Sequence, residues 1–256
     1  MSAQLIYSLI SGVLISGVAG YLGTLMLSKK MSVVAGPLAH LTLPGAALAI
    51  IYGFSLFVGV FPSVLLGIIL IWILERKTKL PMENLAAIMF AFGLGTALLI
   101  LPLDKAEAAL IGSINTISFT ETLVVIVISL LVFILTKNIY NKIMLANIHE
   151  EFARSNGINI GLYNFLYLLN IGLVVSLGVY LVGGLITVAL IAIPAAIARN
   201  ISHNLATYKM WAIVSGIVAT IIGISLNQYY HLPTGPLIVI AGAFLFVLTT
   251  VIKRKH

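Results

Sequence analysis

Residues 33–52, VVAGPLAHLTLPGAALAIIY, form an apolar segment long enough to cross a lipid bilayer. The segment contains Pro37, His40 and the pair Pro44 and Gly45, which a membrane helix rarely combines. Proline lacks a backbone N–H, so Pro44 leaves the His40 carbonyl without its helical donor. Broken backbone and ionisable side chains are tolerated in hydrocarbon where protein or a water-filled cavity satisfies them. The segment therefore predicts a broken helix that lines a path through the membrane.

The composition of the 256-residue chain agrees with membrane insertion. Hydrophobic residues make up 61% of the chain and charged residues 8%, which excludes an ordinary soluble core. Windows of about 20 apolar residues predict an all-α, polytopic membrane helix bundle of about eight or nine transmembrane helices, with broken helices at Pro and Gly. The predicted spans are 4–27, 33–53, 56–74, 84–103, 121–137, 161–182, 184–199, 208–228 and 235–252. Because span 184–199 is short for a crossing, the alternative is eight transmembrane helices with a re-entrant segment at 184–199.

The positions of the charged residues predict the orientation of one transmembrane domain, residues 1–256. Of the 14 Lys and Arg residues, all except Lys105 fall in connectors on one side of the predicted spans. Because cytoplasmic loops are enriched in basic residues, this asymmetry places the C-terminus in the cytoplasm and the N-terminus outside. The formal net charge of +7 comes from single or short basic runs at span ends, so we expect membrane lipid and no nucleic acid as a partner.

Motifs for catalysis are missing from the sequence. It contains no G-x-x-x-x-G-K-[ST] phosphate loop, no H-E-x-x-H and no G-x-S-x-G, and it has no cysteine. All seven acidic residues lie in or beside predicted loops, whereas proton- or sodium-coupled transport normally places carboxylates within the membrane. We therefore predict a protein that is not an enzyme and whose energy source is a separate polypeptide.

His40 is the one ionisable side chain deep in a predicted span, roughly 11 Å from the cytoplasmic start of that span by helical rise. A lone histidine is often a packing residue, but its place beside a proline-freed carbonyl favours a transport role. One imidazole does not complete a zinc site, which takes about four ligands. A symmetric dimer would bring two copies of His40 to one axis, and two imidazoles are still fewer ligands than a zinc site takes.

A second proline interrupts the apolar run GGLITVALIAIPAAIARN. Pro194 there leaves the Leu190 carbonyl without a helical donor, which predicts a second broken helix. We assign pathway or gating roles to four residues of the two interrupted segments: Pro37, Pro44, Gly45 and Pro194.

Small residues recur at every fourth position in two other predicted spans. They are Ser8, Gly12, Ser16, Gly20 and Thr24 in the first span, and Ala212, Gly216 and Thr220 in the eighth. Stripes of this kind let two helices approach closely. Packing within the chain is the favoured interpretation, and a dimer seam is the alternative.

The longest predicted cytoplasmic connector, residues 138–160, contains HEEFARSNG and predicts a short helix closed by a glycine. Acidic residues at its start and a basic residue at its end suit the helix macrodipole, and a glycine can adopt the left-handed terminal turn. These residues are Glu150, Glu151, Arg154 and Gly157. A solvated loop is the alternative, but the aromatic Phe152 on this element is a candidate anchor in the groove of a partner protein.

Four stretches together resemble a known family. The first runs from Gly20 to Tyr52 and includes Lys29-Lys30, His40 and LPGAALA at 43–49. The others are HEEFARSNGIN at 149–159, ALIAIPAAIARNIS at 189–202 and YYHLPTGPLIVIAGAFLF at 229–246. They follow one another in the family's order along nearly the whole chain, which is therefore similar to the permease subunits of bacterial zinc, manganese and iron ABC importers, the ABC-3 family.

The resemblance implies a homodimeric permease of the bacterial cytoplasmic membrane. Such a permease receives an ion from an extracellular metal-binding protein and is driven by separate cytoplasmic ABC ATPase subunits. No permanently bound cofactor is implied, and the cargo is a divalent metal ion, Zn²⁺ or else Mn²⁺ or Fe²⁺. The segment 138–160 would be the ATPase-docking loop, with coupling residues Glu150, Glu151, Phe152, Arg154 and Gly157. His40 is similar to the histidine of the family's Asp-x-x-x-His motif and would contact the metal in transit.

The sequence departs from the family at two carboxylates. Gly36 stands where the motif has its aspartate, and His231 stands where a second aspartate commonly precedes Leu-Pro-[ST]-Gly. If a metal ion passes, two imidazoles without carboxylates favour Zn²⁺ or another nitrogen-preferring ion over Mn²⁺. Two alternatives stay open: an ABC permease for a metal chelate or small organic solute, and a stand-alone channel without an ATPase.

Overall fold

The structure is a computed structural model that describes residues 3–29, 35–101, 117–183 and 187–253. Of the described residues 89% are helical, and none of them is in a strand. Within these ranges, six helices are long and apolar enough to cross a membrane, and three shorter apolar segments accompany them. The predicted all-α membrane bundle is therefore confirmed, whereas the number of crossings, eight or nine, stays a prediction.

The helices fall close to the predicted spans. In chain order they are α1 (Ala3–Ser28), α2 (Ala35–His40), α3 (Leu43–Tyr52), α4 (Leu56–Thr78), α5 (Met82–Ile100), α6 (Phe119–Ile148), α7 (Glu150–Ser155), α8 (Ile160–Val182), α9 (Thr187–Ile201), α10 (Leu205–Tyr230) and α11 (Thr234–Lys253). Helix α1 packs against α6, α8, α9 and α10, and α2 packs against α4, α5, α8 and α9. The broken second span therefore lies among four other helices.

Close backbone contacts hold α1 against α10. A Cβ atom added at Gly20 would collide with the Ala212 carbonyl, and one added at Gly216 would lie 2.7 Å from the Ser16 carbonyl. The two predicted small-residue stripes therefore pack on each other within one chain. This contact confirms the interpretation of the stripes as internal packing.

Helix α9 differs from its prediction, because it continues through Pro194 without a break. Residues 184–186 at the start of the predicted span lie outside the described residues. Pro194 is buried, and its ring lies 3.4 Å from where a Cβ of Gly216 would be. The Ser215 hydroxyl of α10 also donates to the Pro194 carbonyl at 3.3 Å. The predicted break is wrong because neighbouring helices hold α9 in place despite one missing hydrogen bond.

Helix α6 is longer than predicted, since it continues beyond residue 137 to Ile148. The first half of the predicted connector 138–160 is therefore helical. The buried face of α6 continues past the predicted end of the span, where Tyr140 stacks on Tyr21 of α1 with ring centroids 5.7 Å apart. The Tyr140 hydroxyl also lies 3.1 Å from the hydroxyl of Thr24. These contacts stabilise the helix beyond residue 137. The sequence predicted a loop there because Lys137 and Asn138 are polar.

A buried polar contact joins α6 to α8. The Asn170 side-chain amide donates to the Thr136 hydroxyl at 2.6 Å, and both residues are fully buried. An amide without a partner is costly in an apolar interior. This hydrogen bond therefore contributes to the stability of the α6–α8 pair, which carries α7 between its two helices.

We expect Thr136→Val to lower the free energy of unfolding by about 1 kcal/mol, because it leaves the Asn170 amide unpaired. The midpoint of thermal unfolding in detergent micelles measures the change. Thr96→Val is the matched control, since the Thr96 hydroxyl donates only to carbonyls of its own helix. Equal midpoints for the two variants would contradict the expected role of the Asn170–Thr136 contact.

Candidate functional site

The second span is broken at His40, as predicted. Helix α2 ends at His40 and α3 begins at Leu43, and the two residues between them form a turn. Among the described residues nothing donates a hydrogen bond to the His40 carbonyl, because Pro44 has no N–H to offer. We refer to residues 40–43 as the elbow.

Two neighbouring helices fix the elbow. The Ser63 hydroxyl of α4 donates to the Leu41 carbonyl at 2.6 Å. On the other side, a Cβ atom added at Gly93 of α5 would lie 3.0 Å from the His40 carbonyl oxygen. The His40 carbonyl therefore faces the backbone of α5 at close range. Since α4 and α5 contact the two carbonyls of the elbow, the His40 side chain is the candidate group for binding a ligand.

The His40 imidazole is partly exposed and has its edge against Phe90 of α5. The two ring centroids lie 4.7 Å apart with an interplanar angle of 81°. Nδ1 is buried and has no hydrogen-bond partner among the described residues. Nε2 has no hydrogen bond to a described residue and is not among the fully buried atoms without a partner, so it is the ring nitrogen that remains accessible. A neutral imidazole can offer such a nitrogen to a metal ion.

The other predicted pathway residues occupy several positions around the elbow. Pro37 and Pro44 are partly buried, and Pro44 lies at the start of α3. Gly45 is buried, and a Cβ atom added there would collide with the carbonyl of Gly59 in α4. Gly45 therefore permits close packing of α3 on α4, while its pathway role stays a prediction. Pro194 lies in α9, which contacts α2.

A metal centre with several protein ligands is not found within the described residues, where no group of three or more His, Cys, Asp or Glu side chains comes together. At Gly36, where the related motif has aspartate, an added Cβ would lie 3.5 Å from Val188, an ordinary contact distance. The backbone at Gly36 thus accommodates a Cβ atom, which this sequence does not supply. Among the described residues, His40 is the predicted metal ligand at the elbow, and its contact with an ion stays a prediction.

Sequence reasoning missed Ser63, Phe90 and Gly93. These residues lie 20 or more positions from the elbow in the chain, and each becomes significant only when α4 and α5 pack against it. A glycine in a membrane helix does signal close approach in general. It does not identify the helix that approaches.

The predicted short helix after α6 is confirmed as α7. The Glu150 carboxylate and the Arg154 guanidinium form an ion pair at 2.7 Å across one helical turn. Gly157 follows with φ of +75°, the left-handed conformation that closes the element. Ala153 is fully buried, whereas the Phe152 side chain is 58% exposed. Helix α7 therefore presents an aromatic side chain away from the bundle.

Beside α7, a cleft of about 780 Å³ lies between the end of α4 and the start of α8. Its lining includes Glu150, Arg154 and Gly157, together with Trp72 and Arg76 of α4. The Arg76 guanidinium lies 3.9 Å from the centroid of the Trp72 ring. Three of the predicted coupling residues thus line one polar cleft at the end of the bundle that carries α7.

Comparison with known proteins assigns the family. The sequence pattern of the ABC 3 transport family matches residues 1–253. The chain belongs to the ABC 3 transport family. This member is 28% identical to the high-affinity zinc uptake system membrane protein ZnuB of Haemophilus influenzae, with 97% of each chain covered. It is 24% identical to the manganese import system permease protein ScaB of Streptococcus gordonii, with 97% of this chain and 91% of ScaB covered.

Solved structures share the fold of this ABC 3 transport family member. PsaBC from Streptococcus pneumoniae in complex with Fab matches with a TM-score of 0.82 and 22% identity, over 96% of this chain and 91% of that one. An inward-facing metal-chelate type ABC transporter matches with a TM-score of 0.78 and 18% identity, over 96% and 85%. The chain is thus a multi-pass membrane permease of a transport family, which is not an enzyme family.

Proposed function

We propose that this chain is the membrane-spanning subunit of an ABC importer that carries a divalent metal ion, with Zn²⁺ as the favoured cargo. The observation that carries the proposal is the accessible Nε2 of His40 at a broken helix inside the bundle. Relatives named as zinc and manganese import proteins support the metal as cargo. Imidazole nitrogen suits Zn²⁺, whereas Mn²⁺ prefers carboxylate oxygen, which the site lacks at Gly36.

The ion would meet His40 in passage. Metal-ligating histidines usually donate their second ring N–H to a protein or water partner, which strengthens the bond to the metal. Nδ1 of His40 has no such partner among the described residues. Weak binding of this kind suits a transport path, from which the ion must leave as readily as it enters. In the proposed homodimer, a second copy of His40 approaches the same axis.

The energy for transport would come from separate cytoplasmic ABC ATPase subunits that bind α7. Phe152 offers an exposed aromatic side chain for a partner groove, and the Glu150–Arg154 ion pair holds the short helix together. The proposed orientation in the bacterial cytoplasmic membrane has the C-terminus and α7 in the cytoplasm and the N-terminus outside. An extracellular metal-binding protein would deliver the ion to the opposite face.

We expect Phe152→Ala to weaken binding of the ATPase subunit about tenfold or more, because truncating an aromatic anchor commonly costs about 2 kcal/mol. Titration of the purified chain with its ATPase measures the dissociation constant. Phe119→Ala is the matched control, because Phe119 is similarly exposed at the opposite end of α6. A Phe152→Ala chain that binds the ATPase as tightly as the unchanged chain would contradict this role for α7.

The proposed function is tested by zinc accumulation in proteoliposomes that contain this chain and its ATPase. The proposal requires accumulation that depends on ATP, on the ATPase and on free Zn²⁺. Accumulation of only a chelated metal would instead favour a chelate permease. Zinc flux through the chain alone, without ATPase, would indicate a channel.

A further inference from the structure

A second cleft, of about 530 Å³, lies where the ends of α1, α6 and α9 meet the start of α10. By the predicted orientation, this end of the bundle faces the cytoplasm. Side chains with N–H or O–H donors line the cleft, among them Arg199, Ser202, His203 and Tyr208. No carboxylate of the described residues lines it. We refer to it as the α9–α10 cleft.

Arg199 supplies the positive charge of the α9–α10 cleft. It lies in the last turn of α9, where it is exposed, and within the described ranges no carboxylate lies in ion-pair range of its guanidinium. The Tyr208 phenol of α10 lines the same cleft as Arg199. Lys209, the next residue, places its Nζ 3.7 Å from the centroid of the Tyr140 ring and adds a second cation to this junction. The cleft is therefore electropositive.

The sequence offers no carboxylate that could neutralise this charge from an undescribed cytoplasmic segment. Residues 30–34 and 254–256 contain no Asp or Glu. Among the acidic residues of the predicted cytoplasmic side whose side chains the structure describes, Glu75, Glu150 and Glu151, none lines the α9–α10 cleft. The positive charge is thus left for a ligand that brings its own negative charge.

We propose that the α9–α10 cleft binds the phosphate of an anionic phospholipid from the inner leaflet. A guanidinium can donate two parallel hydrogen bonds to a phosphate, and the Ser202 and Tyr208 hydroxyls are further donors. Basic pockets between membrane helices on the cytoplasmic side are suited to such headgroups, because that leaflet carries the negative surface charge. The proposal goes beyond metal transport and does not depend on the identity of the cargo.

Exposed apolar residues beside the cleft favour a lipid over free phosphate. The cleft lining includes Ile148 and Leu205, which are 66% and 42% exposed. Trp211 lies one helical turn after Tyr208 on α10 and is 38% exposed. Tryptophan is enriched where a membrane meets water. A headgroup in the cleft would therefore leave its acyl chains beside an apolar surface, whereas inorganic phosphate would use only the polar part of the site.

The test compares lipid retention by the full chain in nanodiscs of phosphatidylcholine mixed with phosphatidylglycerol. After transfer to detergent, native mass spectrometry counts the lipids that remain bound. We expect phosphatidylglycerol to be retained in preference to phosphatidylcholine. Arg199→Gln should reduce the retention of phosphatidylglycerol about tenfold, because it removes the charged hydrogen bonds from the guanidinium to the phosphate. Tyr208→Phe should give a smaller reduction, and Arg199→Lys should restore part of the retention.

Lys77→Gln is the matched control, because it removes one exposed cation from the same side of the bundle but outside the cleft. It should retain phosphatidylglycerol like the unchanged chain. Equal retention of the two lipids by the unchanged chain, or full retention by Arg199→Gln, would overturn the proposal. Complete competition by millimolar inorganic phosphate would overturn it in favour of a phosphate site. Displacement of the lipid by the ATPase subunit would overturn it in favour of a protein interface.

Discussion

Replacing His40 with alanine is expected to reduce ATP-dependent zinc uptake to background, because it removes the accessible Nε2 at the elbow. Loss of a residue that merely supports a metal ligand typically costs about 10- to 100-fold, so loss of the ligand itself should cost about 100-fold or more. Initial uptake rates in proteoliposomes measure the effect. Assembly with the ATPase should be unchanged, since His40 donates no hydrogen bond to any described residue.

The control for this prediction is His256→Ala, which removes a histidine that the sequence places at the C-terminus, away from every predicted span. Phe90→Leu provides an intermediate case, because it keeps Nε2 but removes the ring that abuts the imidazole. Its uptake should fall less than that of His40→Ala. Unchanged uptake in His40→Ala would remove this histidine from the transport path.

Gly45→Ala is expected to destabilise the chain by about 3 kcal/mol or more, because the added methyl group would collide with the Gly59 carbonyl. The reverse collision arises at Gly59, where an added Cβ would meet the Gly45 carbonyl. Since both colliding groups belong to rigid helices, neither can move aside as a flexible side chain could. Thermal unfolding in detergent and the yield of folded protein measure the loss.

The matched control is Gly95→Ala, because Gly95 is also a helical glycine but has open space where its Cβ would be. That substitution should leave stability unchanged or raise it slightly, since alanine favours the helix over glycine. If Gly45→Ala and Gly95→Ala unfolded at the same temperature, the close contact of α3 with α4 would be contradicted. Loss of uptake in a fully folded Gly45→Ala chain would instead indicate a direct role in the pathway.

The sequence predicts features that depend on local chemistry. The break at the elbow follows from the missing N–H of Pro44, and α7 follows from its charge pattern and from Gly157. Both are confirmed, and in both the signal lies within the segment itself, although α4 and α5 then hold the elbow in place. The apolar spans were predictable for the same reason, since hydrophobicity is a property of each segment alone.

Features that depend on packing were not predictable in this way. The continuity of α9 through Pro194 requires α10 to hold the helix in place, and the extension of α6 requires Tyr140 to find Tyr21. The contacts of His40 with α5, through Phe90, also arise from segments about 50 residues away in the chain. No motif in the sequence pairs these positions, so their proximity is known only from the fold.

Thiol labelling tests most directly whether the elbow borders an aqueous path. The chain has no cysteine, so His40→Cys introduces a single reactive site. The buried Ile15→Cys and the membrane-exposed Leu131→Cys serve as unreactive controls. In proteoliposomes of the assembled transporter, a membrane-impermeant thiol reagent should label His40→Cys, and Zn²⁺ should slow that labelling. Labelling of His40→Cys as slow as that of the two controls would contradict the assignment of His40 to the transport path.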